Sequence, residues 1–168
     1  MRLLALLAGL VLLAGALQAE TEKHHVEEFL HVRFEGREAE KVIRSLDLPY
    51  EQESEGKGKV FSTADRAVHL YCFNRHYNVE PYACHFTFDL RGLSKLVTVK
   101  PEAQGIRLVL TSEKESLALY NALLVPEGVF NQQITKILEI ENGDVIIDCR
   151  KDARRSSAAP QCSIFTTL

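Results

Sequence analysis

The chain has 168 residues, with 20 Lys and Arg against 23 Asp and Glu, so its formal net charge is −3 at pH 7. This mildly acidic balance lacks the basic surface that general nucleic-acid binding or attachment to anionic membranes requires. The length suits one domain of ordinary size or two very small ones.

The first 19 residues predict an export signal. Arg2 gives a short basic start, residues 3–13 are apolar, and small residues then lead to a predicted cleavage after Ala19, with Ala16 as the alternative site. This order is typical of a secretory signal peptide, and the apolar run is short for a retained membrane anchor. We therefore expect a secreted or periplasmic protein without a membrane anchor.

Residues 20–103 are predicted to form a first α+β unit. Apolar side chains at the i, i+3, i+4, i+7 spacing indicate a helix over residues 39–46, and Pro49 follows as a stop signal. The charged and glycine-containing stretch 51–59 is interpreted as a flexible connector without an assigned role. The predicted strands are residues 29–34, two strands within 58–73, and 81–90.

Residues 104–168 repeat this pattern and predict a second, similar unit. A strand at 106–111 precedes a helix whose start carries a capping-box signal, Ser112 with Glu115. A hairpin over 135–149 turns at Asn142-Gly143, and the last strand follows residue 160. A nearly constant offset indicates an internal duplication. The matched positions are Leu46 with Leu123, Pro49 with Pro126 and Cys72 with Cys149 at an offset of 77, and Cys84 with Cys162 at 78.

The match is weaker at the first strand of each unit. The apolar positions of residues 29–34 and 106–111 differ in phase by one residue under the same offset. A one-residue shift would turn every side chain of a strand to the other face of its sheet. We therefore expect a one-residue insertion or deletion near this strand.

An even number of cysteines in an exported chain predicts disulfides, and four cysteines allow three pairings. Pairing within each unit brings apolar residues opposite each other, Leu70 with Phe86 and Ile147 with Ile164. A metal site or a redox pair would favour a Cys-x-x-Cys spacing that the chain lacks. We predict hairpin disulfides that stabilise by roughly 3 kcal/mol each, between Cys72 and Cys84 and between Cys149 and Cys162.

The histidines provide weaker candidate sites. His24 and His25 near the mature N-terminus, with His31 on the first strand, are either a zinc or copper site or a solvated tail followed by an outward residue. His69 and His85 are predicted to share the sheet face opposite the cysteines, where they form either an aromatic patch or one wall of the contact between the units. The chain shows no phosphate-binding glycine loop or catalytic motif, and we expect no cofactor.

The tips of the two disulfide-closed hairpins are the predicted partner-binding surface. Arginine and tyrosine are enriched in binding hot spots, and rigid loops lower the entropic cost of association. The alternative is that these long exposed loops are simply polar. The predicted contact residues are Arg75, His76, Tyr77 and Tyr82 on the first tip, and Arg150, Lys151, Arg154 and Arg155 on the second.

The predicted fold is α+β, with two tandem similar units that each contain a strand, a helix, a three-stranded antiparallel meander and one disulfide. In outline, the helix with its meander resembles the cystatin fold, and the tandem disulfide-bearing units are similar to the β-lactamase inhibitor protein. We expect a non-enzymatic binding module, such as an inhibitor or adaptor of another exported protein. The alternative is a ligand- or metal-binding enzyme with a site between the units that uses His69 and His85.

Overall fold

The computed structural model of the chain describes residues 21–26, 28–53, 56–74, 82–155 and 157–168. They form two antiparallel sheets of six strands, two helices and two disulfides. This confirms the α+β class. The predicted signal peptide lies outside the described residues and stays a prediction.

The first half of the structure, residues 21–96, contains one sheet with strand order β1-β2-β6-β5-β4-β3. Its elements are β1 (Glu22–Val26), β2 (Phe29–Glu35), α1 (Gly36–Ser45), β3 (Tyr50–Glu53), β4 (Gly56–Ser62), β5 (Val68–Asn74) and β6 (Tyr82–Asp89). The stretch 51–59 is therefore not a connector, because β3 pairs with β4 within it.

The second half, residues 97–168, has the corresponding strand order β7-β8-β12-β11-β10-β9. Asn142 and Gly143 have positive φ values of 55° and 93° and form the predicted turn between β10 and β11. The predicted unit boundary after residue 103 falls inside the β7–β8 hairpin, since β7 pairs with β8. The elements are β7 (Val97–Glu102), β8 (Gly105–Leu110), α2 (Glu113–Ala122), β9 (Gly128–Phe130), β10 (Gln133–Ile140), β11 (Val145–Asp152) and β12 (Gln161–Thr167).

The two cysteine pairs have the predicted partners and the predicted register. Cys72 lies opposite Cys84 and Cys149 lies opposite Cys162 in their hairpins, and each pair forms a disulfide. Disulfides of this kind fit a protein that folds outside the cytoplasm. No helix in the described part of the chain is long and apolar enough to cross a membrane.

Each disulfide lies beneath the helix of its own half, at equivalent places. The Sγ atom of Cys84 is 3.8 Å from the carbonyl oxygen of Ala39, and the Sγ atom of Cys162 is 3.1 Å from that of Ser116. Ala39 and Ser116 are 77 positions apart, which is the offset expected from the sequence. The same hairpin therefore packs against the same turn of helix in both halves.

The expected one-residue shift is present between the first strand and the helix. Val32 pairs with Phe86, and Leu108 pairs with Ile164. Because Phe86 and Ile164 both stand two positions after a matched cysteine, Val32 and Leu108 are equivalent, and they are 76 positions apart. This shift keeps the apolar side chains of β2 and β8 on the core side.

The extra residue of the second half lies just before α2. Glu35 both ends β2 and occupies the N-cap position of α1, whereas Thr111 separates β8 from Ser112, the N-cap residue of α2. The Ser112 side chain accepts a hydrogen bond from the backbone N–H of Glu115 at 3.4 Å. This bond satisfies one of the N–H groups left without a partner in the first helical turn.

One hydrophobic core extends through both halves. Alternation along the strands turns Phe34 and Phe86 of the first sheet and Leu108 and Ile164 of the second sheet inward, and all four are fully buried. The predicted helix stripe is present, because Ala39, Val42 and Leu46 are buried and Ile43 packs against the same core.

The chain segments that follow the two helices pair with each other. Leu46 and Leu123, which are equivalent residues, lie opposite each other in an antiparallel bridge. The N–H of Asp47 donates to the carbonyl of Ala122 at 2.7 Å, and the N–H of Leu124 donates to the carbonyl of Ser45 at 2.9 Å. The bonds are reciprocal, as in a twofold-symmetric contact.

A second link between the halves is electrostatic. The ammonium group of Lys23 on β1 lies 3.1 Å from a carboxylate oxygen of Asp144 and donates a hydrogen bond to the hydroxyl of Thr167. Although burial raises the pKa of Asp144, the hydrogen bonds from Thr167 and Lys23 outweigh it and lower the pKa overall.

This shift predicts a contribution to stability that acid removes. Because the folded-state pKa of Asp144 lies below its ordinary value of 3.8, the contribution is present above that pH and is lost as the pH falls through the folded-state value. Replacing Asp144→Asn should therefore reduce the loss of unfolding free energy between neutral pH and about pH 3, measured by urea denaturation. The side chain is 39% exposed, so screening by water limits the difference to about 0.2–1 kcal/mol.

The matched control is Glu51→Gln at an exposed carboxylate on β3. Its pH dependence should equal that of the unmodified protein. An Asp144→Asn variant with the same pH dependence as the unmodified protein would show that this link contributes nothing measurable.

Candidate functional site

The four basic residues predicted at the second tip are directed to three different places. Arg150 lies on the outer face of the second sheet, where its Nε and Nη2 groups donate to Oδ2 of Asp148 at 2.9 and 2.5 Å. Lys151, the next residue, lies on the opposite face, with its ammonium nitrogen 4.7 Å from the centroid of the Tyr120 ring. Only Arg154 and Arg155 are exposed in the turn itself.

The turn that carries these two arginines is held by backbone hydrogen bonds. The carboxylate of Asp152 accepts from the N–H of Arg154 at 2.9 Å, and the carbonyl of Asp152 accepts from the N–H of Arg155 at 3.3 Å. The N–H of Ala153 donates to the carbonyl of Gln132 at 2.9 Å. This last bond ties the arginine turn to the neighbouring β9–β10 hairpin.

The β9–β10 hairpin brings exposed apolar side chains to the same end of the sheet. Asn131 and Gln132 have positive φ values of 46° and 63°, as in the tight two-residue turns that join antiparallel strands. The two residues before this turn, Val129 and Phe130, are 74% and 72% exposed. We call Val129, Phe130, Arg154 and Arg155 together the arginine–phenylalanine end.

The apolar half of this surface was not predicted from the sequence. β9 has only three residues, too few to show a strand periodicity, and the contact between the turn that follows it and the arginine turn joins Gln132 to Ala153, which are far apart in the sequence. The available signal was Asn131, a residue that favours left-handed turn conformations, between two apolar stretches.

Of the four predicted residues of the first tip, the structure describes only Tyr82. Arg75, His76 and Tyr77 lie outside the described residues, so their predicted role stays a prediction. Tyr82 is partly buried and packs against the hydrophobic core. The structure thus gives Tyr82 a packing role at the base of the tip.

Lys151 belongs to a cluster that closes the end of α2. The ammonium groups of Lys136 and Lys151 lie 4.5 and 4.7 Å from the centroid of the Tyr120 ring, and the phenol of Tyr120 donates to Glu127. Lys136 also donates to the backbone carbonyls of Tyr120 and Leu123 at 3.3 and 3.0 Å. A cation that binds the last carbonyls of a helix stabilises its C-terminus.

The electrostatics of this cluster follow from its contacts. Burial raises the pKa of Tyr120, and the hydrogen bond to Glu127 raises it further. The same hydrogen bond lowers the pKa of Glu127, and contact with Tyr120 raises that of Lys151. Lys151 is therefore engaged in holding the helix rather than presented at the tip.

The predicted histidine pair lies in a row of aromatic rings on the outer face of the first sheet. Strand alternation turns Leu70 and Phe86 to the core and His69 and His85 to the opposite face, so the pair does not lie between the two halves. Neighbouring rings stand 5.2–6.4 Å apart between centroids. In order, the rings belong to His24, His31, His85, Phe73, Tyr71 and His69.

The two central histidines contact each other directly. Nε2 of His31 is 3.1 Å from Nδ1 of His85, a hydrogen bond in which one ring donates and the other accepts. Burial lowers the pKa of His31, and His24 lowers it further. His25 is exposed on β1. Within the described residues, no three His, Cys, Asp or Glu side chains are placed to hold a metal ion.

Comparison with protein families, with curated proteins and with solved structures gives no match to this chain. The resemblance in outline to cystatins and to the β-lactamase inhibitor protein therefore carries no residue assignment here.

The row of rings requires a glycine on the neighbouring strand. A Cβ atom at Gly58 on β4 would overlap the ring of Tyr71. Replacing Gly58→Ala should therefore destabilise the protein by about 1–3 kcal/mol, the usual cost of overpacking. The free energy of unfolding from urea denaturation measures this cost.

A double-mutant cycle separates this clash from a backbone effect. In a Tyr71→Ala background the ring is gone, and most of the cost of Gly58→Ala should disappear. An equal cost in both backgrounds would show that the ring does not impose the glycine.

Proposed function

We propose that this protein is an exported, non-enzymatic binding module that binds another exported protein through the arginine–phenylalanine end. The observation that carries the proposal is the hydrogen bond between Ala153 and Gln132, because it joins the arginine turn to the hairpin of Val129 and Phe130. The bond places the turn that follows exposed Phe130 next to the turn that carries exposed Arg154 and Arg155. Aromatic residues and arginine dominate binding hot spots.

The rigidity of this end supports the proposal. The Cys149–Cys162 disulfide closes the hairpin that carries the arginines, and Arg150 and Gln161 form its last paired residues before the turn. A loop that is already ordered loses less conformational entropy on association than a mobile one. For the second tip, the proposal therefore rests on Arg154 and Arg155 and adds Val129 and Phe130, while the role of Arg75, His76 and Tyr77 on the first tip stays a prediction.

The chemistry of the surface indicates the chemistry of its partner. Arg154 and Arg155 make no ion pair with any described side chain, so an acidic partner surface would pair with them without displacing an internal contact. Exposed Phe130 requires an apolar depression beside those acidic groups. The predicted signal peptide and the two disulfides support an encounter outside the cytoplasm.

The test is a quantitative capture of partners from the secreted or envelope fraction of the source cells by the oxidised protein. A triple variant, Phe130→Ala with Arg154→Ala and Arg155→Ala, should lower the recovery of a stoichiometric partner about tenfold or more, as expected for hot-spot residues. All three side chains are exposed, so the variant should unfold at the same temperature as the unmodified protein.

A matched control removes similar side chains elsewhere. Leu168→Ala with Arg37→Ala and Lys41→Ala deletes one exposed apolar residue and two exposed cations, and Leu168 follows the end of β12 opposite to the arginine turn. It should recover the partner fully. Equal recovery by the two triple variants would contradict the proposal.

A further inference from the structure

A cleft on the outer face of the second sheet is distinct from the arginine–phenylalanine end. It has a volume of about 370 Å³. Val109 and Ser163, which are paired across β8 and β12, contribute small side chains to its lining. Longer basic side chains also line it, namely Lys100, Arg107 and Arg150.

The two guanidinium groups of the cleft are held in place by carboxylates. Arg107 pairs with Glu102, and its Nη1 group donates to the hydroxyl of Ser163 at 3.3 Å. Arg150 binds Asp148, whose side chain is only 9% exposed beneath it. Guanidinium groups fixed in this way keep further N–H donors in a defined direction, which favours planar oxyanions as ligands.

The third cation has no such partner. Lys100 makes no ion pair with any side chain in the described part of the chain. With Glu102 and Asp148 counted, three cations stand against two carboxylates, so the cleft has an excess of positive charge. A bound anion would remove this excess.

Comparison of the two halves shows how the cleft arises. The pair Tyr71 and His85 of the first sheet corresponds to Asp148 and Ser163 of the second, since each pair is cross-strand and stands next to the matched cysteines. In the first sheet these positions carry rings that fill the outer face. Ser163 in place of a histidine leaves the space that forms the cleft.

We propose that this cleft binds a small organic anion through a carboxylate or phosphate group. Arg107 and Arg150 hold its oxygens through N–H donors, Lys100 supplies the unpaired charge, and Ser163 provides a hydroxyl. The site does not include Phe130, Arg154 or Arg155. A failure of the proposed protein contact would therefore not contradict anion binding, and the reverse also holds.

The test is an NMR titration of the oxidised protein with inorganic phosphate and, separately, with citrate, at constant ionic strength maintained with sodium chloride. Saturable shifts confined to the backbone amides around Lys100, Arg107, Val109 and Ser163 are expected for at least one anion. Lys100→Gln should weaken binding about tenfold, the loss of one charge-assisted contact. The control Lys114→Gln, which removes an exposed charge outside the cleft, should bind like the unmodified protein.

A second variant tests the shape of the cleft. Ser163→His places at this position the residue that the first half carries there, and it should abolish saturable binding while the protein remains folded. The proposal is overturned if neither anion gives saturable shifts, or if Lys100→Gln and Lys114→Gln bind with equal affinity.

Discussion

The joining of the two halves depends on the antiparallel contact between Leu46 and Leu123. Both side chains are fully buried, and the backbone on either side of them is bonded reciprocally between the two halves. Buried backbone groups must find hydrogen-bond partners, and here equivalent segments supply them to each other. The pairing supplies hydrogen-bond partners to the backbone groups that follow each helix, and it brings both helices into one core.

This arrangement leaves the outer faces of the two sheets under a weaker constraint. In the inner strands, every second residue must be apolar to fill the shared core, whereas the residues between them only have to tolerate their neighbours. The first sheet uses these positions for stacked rings, including His31 and His85, and the second uses them for charged groups, including Arg107 and Asp148. The same backbone therefore presents two surfaces of different chemistry, and both of the binding sites that we propose belong to the second half.

Much of the fold could be predicted from the sequence because its strongest signals agree with each other. Three signals predict the same hairpins: the offset of 77 between equivalent residues, the apolar stripe of the helix, and the alternation beside the cysteines. These hairpins in turn predict the disulfide partners and their register, and the structure confirms both. The four edge strands β1, β3, β7 and β9 were not predicted. β1, β3 and β9 are short or polar, with sequences EKHHV, YEQE and GVF, and β7, VTVKPE, contains a proline. They form because a neighbouring strand offers hydrogen bonds.

The candidate site was predicted less well because it also depends on contacts between neighbouring strands and hairpins. Local pattern identified Arg154 and Arg155 as a tip, but it could not show that the hairpin of Phe130 would lie beside them. It also placed His69 and His85 on one face, but not His31 next to His85, because that contact requires β2 to be the neighbour of β6. Contacts of this kind depend on strand order, which no single stretch of sequence contains.

Native-state hydrogen exchange of the backbone amides of Asp47 and Leu124 tests the central claim most directly. If the pairing of the two helix ends joins the halves into one cooperative structure, both amides should exchange only through global unfolding, at the same free energy as core amides of β6 and β12. Exchange of Asp47 and Leu124 at a clearly lower free energy than these core amides would contradict the account, because the halves would then separate without unfolding.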